Sequence, residues 1–185
     1  MTHPWHDVNP GDEIDKFFYS VIEIPKGSKN KYELDKKTGL LMVDRVLHSS
    51  VHYPANYGFV PRSYCDDGDP LDVLVLCQEE ITPLCIVRCI PVGMFTMRDE
   101  KGQDDKIIAV HADDPAYNSY EDISALPKHV ILELRRFFQD YKILEHKEVV
   151  VDNLRGHYDA VNCIHEAMAF YAEKKIELLS KWSQG

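Results

Sequence analysis

The chain has 185 residues, 44% of them hydrophobic, with 21 Lys and Arg against 31 Asp and Glu and a formal net charge of −10. That length suits one domain over residues 1–185, able to fold without disulfides, and the five cysteines, lacking any C-x-x-C pair, read as reduced thiols of a cytoplasmic protein. The acidic balance argues against nucleic acid and anionic membranes as partners, since both are bound chiefly through Lys and Arg; no run reaches the ~18 apolar residues of a membrane span.

From Phe18 to His111 the sequence alternates short β-rich runs with turn residues, at 18–24, 40–46, 72–77, 86–97 and 106–111. Many short strands at close spacing predict a barrel or a sandwich. Glu23, Lys31, Glu33 and Arg45 fall on predicted strands, where side chains alternate between two faces, so Lys31 and Glu33 share one. If that face lines a pocket, Lys31 and Arg45 can hold phosphate oxygens, Arg45 through its bidentate fork; otherwise they are exposed strand charges. The stretch Tyr-Pro-Ala-Asn-Tyr-Gly at 53–58 reads as a proline-containing turn joining Tyr53 and Tyr57. Their phenols can donate to phosphate oxygens or simply pack in the core.

The run Asp66-Asp67-Gly68-Asp69-Pro70-Leu71-Asp72 crowds carboxylates into a tight turn just before an apolar strand. Carboxylates so close repel one another unless cations neutralise them, and hard cations such as Mg2+ favour oxygen ligands. The alternative is a solvated acidic turn. An EF-hand loop does not fit, because this run leads into a strand and lacks the helical frame. A second acidic segment, 99–106, lies between two β-rich runs and reads as a hairpin loop with Lys101-Gly102 near its tip. By itself it is a solvated loop; the acidic turn gives Asp99 and Asp104 a possible metal role.

After Pro127 the period changes. Val130, Ile131, Leu134, Phe137, Phe138, Tyr141 and Leu144 fall on one helical face, with Pro127 in the first turn and Tyr141-Lys142 towards the end. A brief strand at 148–152 precedes a second helix carried by Val161, Ile164, Met168 and Tyr171 and running towards Leu178 and Leu179. No G-x-S-x-G elbow, Walker loop or G-x-G-x-x-G occurs, so serine-hydrolase, P-loop and dinucleotide chemistry lack support.

The segment Asp67-Gly68-Asp69-Pro70-Leu71-Asp72-Val73 resembles the signature of family I soluble inorganic pyrophosphatases. The likeness extends through Val21-Ile22-Glu23-Ile24-Pro25, Lys31-Tyr32-Glu33, Val43-Asp44-Arg45, residues 53–58, 99–106 and Phe137-Phe138-Gln139-Asp140-Tyr141-Lys142, covering about 18–180. The opening His3-Pro4-Trp5-His6-Asp7 is similar to short plant-type members. The resemblance implies an α+β fold, an OB-like five-stranded β-barrel flanked by two main helices. It implies hydrolysis of pyrophosphate, taken as its magnesium complex, to two phosphates by in-line attack of metal-activated water, with several Mg2+ per active site and a homo-oligomeric assembly.

On that resemblance Asp67, Asp72, Asp99 and Asp104 hold metal and Asp69 is the general base. Lys31, Arg45, Tyr57, Tyr141 and Lys142 bind substrate; Glu23, Glu33, Tyr53 and Lys106 support them. Cys65, beside these carboxylates, is expected to have a raised thiol pKa from their field. Two other classes remain as rivals: an OB-fold oligonucleotide-binding module, and a structural module stabilised by calcium.

Overall fold

The protein is described by a computed structural model over residues 2–99, 102–152 and 154–183; the side chains of Asp99 and of residues 181–183 lie outside that description. In chain order the strands are β1 (Phe18–Ile24), β2 (Asn30–Leu34), β3 (Leu41–Val46), β4 (Asn56–Phe59), β5 (Asp72–Leu76), β6 (Ile86–Asp99) and β7 (Gly102–His111). Helix α1 (Lys128–Asp140), the short β8 (Val150–Val151) and β9 (Arg155–Gly156), and the long helix α2 (His157–Ser183) follow.

The pairings run in a ring, β1 to β4 to β5 to β7 to β6 and back to β1. All are antiparallel except β5 with β7, which run parallel because β6 carries the chain back between them. This is the expected OB-like arrangement of five strands with two main helices. The β2–β3 hairpin stands outside the ring as a sheet of its own.

Period-2 alternation gives each barrel strand two apolar faces. On β5 and β7, Leu74, Leu76, Ile108 and Val110 join the cluster that includes Leu134, Phe137 and Phe138 of α1. Their neighbours Val73, Val75, Ile107 and Ala109 join the cluster with Ala160, Ile164 and Ala167 of α2. One strand therefore ties both helices to the ring. A glycine is required where β1 and β4 cross closely: a Cβ at Gly58 would stand 1.9 Å from the Val21 carbonyl oxygen.

Three expectations change. The proline-containing turn is shorter than expected, because Asn56 already begins β4, where Gly58 lets the strand pair tightly with β1. The segment 99–106 is mostly strand rather than loop: Gln103, Asp104 and Asp105 pair with Arg98, Met97 and Thr96. Helix α1 stops at Asp140, Pro127 is its N-cap rather than a first-turn residue, and Leu144 lies beyond it in a 3-10 turn, 59% exposed. The α1 face that packs holds Leu134, Phe137 and Phe138 in the core with the half-buried Val130 and Ile131 against it, and Tyr141 at the C-cap.

The N-terminal segment is folded onto the barrel. Trp5 is fully buried and donates from Nε1 to the Ser63 carbonyl at 2.8 Å. Arg62 returns two bonds to this segment, to the carbonyls of His6 and Asp7, each at 3.1 Å. His6 and Trp5 stack with centroids 4.6 Å apart, and Tyr171 of α2 closes the cluster.

Candidate active site

Parallel pairing of β5 and β7 sets Asp72 directly beside Lys106, and the two-residue period brings Asp104 to the same face. Lys106, 2% exposed, donates to Asp72 Oδ2 at 2.5 Å, to Asp104 Oδ2 at 2.9 Å and to the Tyr57 hydroxyl at 3.0 Å. Burial alone would favour neutral lysine; the carboxylates of Asp104 and Asp72 overcome it and hold the ammonium well above its ordinary pKa. A buried charge with three partners is fixed in place, so Lys106 organises the floor of the site.

Asp72 and Asp104 open onto a cleft of about 380 Å3, lined also by Asp67, Asp105 and Glu166 and by Cys65 and Cys163. Burial, with Asp104 as a like-charged neighbour, raises the Asp72 carboxyl despite the attraction of Lys106. Burial likewise raises Asp67, with repulsion from Asp69 and Asp104 adding to it. The Cys65 thiol is raised as expected, but burial is the larger cause and the Asp67 and Asp72 charges come second. Among the described residues no three metal-binding side chains close on a single point; the carboxylates line the cleft, and Lys106 draws two of them.

The tight turn at 66–69 forms because Gly68 adopts φ +87° and its N–H donates to the Cys65 carbonyl at 3.0 Å, while Asp67 Oδ1 accepts from the Asp69 N–H at 3.0 Å. Asp69 is directed to Lys36, at the tip of the β2–β3 hairpin. Lys36 has no counterpart among the residues expected from sequence. It lies about 33 positions from its partner, and no local motif marks a contact of that kind.

The cationic and phenolic groups come from β2, β3, the segment around β4 and the end of α1. Lys31 pairs with Glu33 and, at 3.2 Å, with Asp44; Arg45 pairs with Asp44 and, at 2.9 Å, with Glu145. Asp44 and Glu145 were not anticipated as partners; a strand carboxylate and one beyond a helix end carry no spacing signal. Glu23, 8% exposed, accepts from the Leu34 N–H at 2.7 Å; burial, reinforced by Asp72, pushes its carboxyl up to about 8. Tyr53 and Tyr57 are buried, with ring centroids 5.6 Å apart, and burial raises both phenols. Tyr141 stacks on Phe137 at 5.5 Å, and the Lys142 ammonium lies 5.2 Å from the Tyr141 ring centroid. The charges of Lys106 and Arg45 both act on the Tyr53 phenol, so these groups share the electrostatic neighbourhood of Lys106. Asp99 ends β6, and its side chain lies outside the described residues.

A sequence profile described as "Inorganic pyrophosphatase" matches residues 20–172. The chain belongs to the inorganic pyrophosphatase family. It is 56% identical over 172 residues to "Soluble inorganic pyrophosphatase 2" of Chlamydomonas reinhardtii, covering 93% of this chain and 90% of that one. It is 55% identical over 180 residues to "Soluble inorganic pyrophosphatase PPA1" of Solanum tuberosum, covering 97% and 85%. Among solved structures, the inorganic pyrophosphatase of Thermus thermophilus superposes with a TM-score of 0.86 at 39% identity, covering 89% of this chain and 97% of that one. The matched span of the pyrophosphatase profile includes the acidic turn, the Lys106 cluster and the β2–β3 hairpin.

Proposed function

We propose that the protein hydrolyses inorganic pyrophosphate to two phosphates at the cleft between β5, β7 and α2. Membership of the family, with relatives so named at more than half identity along nearly the whole chain, carries the reading. The acidic cleft fits a hard divalent cation, since its donors are carboxylate oxygens whose raised pKa values reflect burial and mutual repulsion. Asp67, Asp72 and Asp104 would hold Mg2+ there, with Asp99 joining them. Bound Mg2+ would lower the pKa of water towards neutrality and neutralise charge on the substrate.

The chain's own groups supply the remainder. Asp69 takes the proton from the attacking water. Lys31, Arg45, Tyr57, Tyr141 and Lys142 hold phosphoryl oxygens; Lys31 and Arg45 exchange their carboxylate partners for phosphate, which their charge favours. Glu23, Glu33 and Tyr53 fix the strand faces from which these groups project. Lys106 keeps Asp72, Asp104 and Tyr57 at fixed separation while charge shifts during the reaction.

Phosphate release from pyrophosphate at neutral pH is expected to be fast with excess Mg2+ and absent with chelator. No release under any divalent cation would sink the reading and favour an OB-type binding module instead.

A further inference from the structure

We propose that Lys36 is a positioning residue for Asp69, held in register by the N-terminal segment; the inference rests on Asp69 being the general base. The Lys36 ammonium pairs with the Asp69 carboxylate and donates to the Gly68 carbonyl at 3.0 Å. These two bonds grip the acidic turn at Gly68, whose φ of +87° makes the turn, and at Asp69 itself.

Lys36 is itself held. Asp35 folds the hairpin tip, accepting from the Thr38 N–H at 3.2 Å, while the Gly39 N–H donates to the Asp35 carbonyl at 2.8 Å. His3 Nε2 donates to the Lys36 carbonyl at 3.1 Å, the tautomer fixed because Nδ1 accepts from the Trp5 N–H at 3.3 Å. Gly39, at φ +71°, lets the segment close in: a Cβ there would stand 3.0 Å from Pro4 Cδ. Buried Trp5 anchors the segment to Ser63, ahead of the acidic turn. The chain thus runs from a core anchor through His3 to the hairpin tip and back to Asp69.

The Lys36 and Asp69 side chains are 26% and 52% exposed, and ion pairs so open to water add little to stability. Orientation is what the pair provides. A free Asp69 would sample rotamers, and a misplacement of about 1 Å can cost up to ~100-fold in rate.

Lys36→Met is expected to lower kcat roughly tenfold or more, to leave KM and thermal stability nearly unchanged, and to leave Mg2+ affinity, measured by calorimetry without substrate, no weaker. Lys36→Arg should recover much of kcat. His3→Ala should lower kcat in the same direction by less, and serves if Lys36→Met folds poorly. In an Asp69→Asn background, itself expected to lose orders of magnitude in kcat, Lys36→Met should add nothing. Normal kcat in Lys36→Met beside a crippled Asp69→Asn would overturn the positioning role alone. Normal kcat in Asp69→Asn would remove the general base on which it rests. Additive losses, or Mg2+ binding weakened in step with kcat, would assign Lys36 to the metal cradle instead and overturn the proposal.

Discussion

His6 shows how one buried side chain ties the fold to pH. It is 6% exposed, its Nδ1 shares a 2.8 Å bond with the Tyr171 hydroxyl, and its buried Nε2 has no partner among the described residues. Protonation would place an unpaired donor and a charge in the core. Burial, followed by the nearby His3 and Lys175 and opposed by Asp7, lowers its pKa to about 4. A histidine whose folded pKa is depressed stabilises the fold fully above its ordinary pKa of about 6.5 and loses that contribution as pH falls through the folded value. Stability should therefore fall between pH 6.5 and about 4, by on the order of 3 kcal/mol from this group. His6→Asn should flatten that part of the denaturation profile; an unchanged slope would mean other groups carry it. The same scale explains what sequence could not reveal about the site. Asp67, Asp69 and Asp72 were legible because a tight turn crowds them, whereas Lys36, Asp44 and Glu145 meet their partners only after folding.

Among the elements, the strand and helix periods were legible where burial enforces them: β1, β5 and most of β6 fall where alternation predicts. The departures have local causes. The β6–β7 hairpin extends through its acidic arm, where Thr96 of β6 bonds Asp105 and Lys106 pairs with Asp104 at 2.9 Å, so charge that reads as loop is carried on paired strands. The second helix begins at His157, where Asp122 accepts from its N–H at 2.9 Å, a cap supplied from 35 residues away and invisible to local pattern. The β1–β4 crossing depends on a missing side chain. Gly58→Ala should destabilise the protein by about 3 kcal/mol or more, since the added carbon meets strand backbone rather than a flexible side chain. Chemical denaturation gives the value; a cost below about 1 kcal/mol would show that β1 and β4 can separate cheaply.

Across the whole molecule, ten excess negative charges repel one another, and the acidic cleft concentrates part of that repulsion. Mg2+ at about 100 times its dissociation constant should add about 2.7 kcal/mol, or roughly 5–10 °C in Tm for a chain of this size. NaCl at matched ionic strength should give a smaller rise; an equal rise would assign the effect to general screening rather than to the cleft. The ring of strands has a different kind of consequence, one that concerns synthesis. Strand β1 reaches its second neighbour only when β6 exists, and β5 awaits β7, which ends at His111. While a ribosome makes the intervening stretch, on the order of ten seconds at ordinary elongation rates, the nascent half-barrel carries two open strand edges. Both edges offer unpaired backbone that another chain could extend, and that exposure ends when β7 pairs with β5 on one side and β6 on the other.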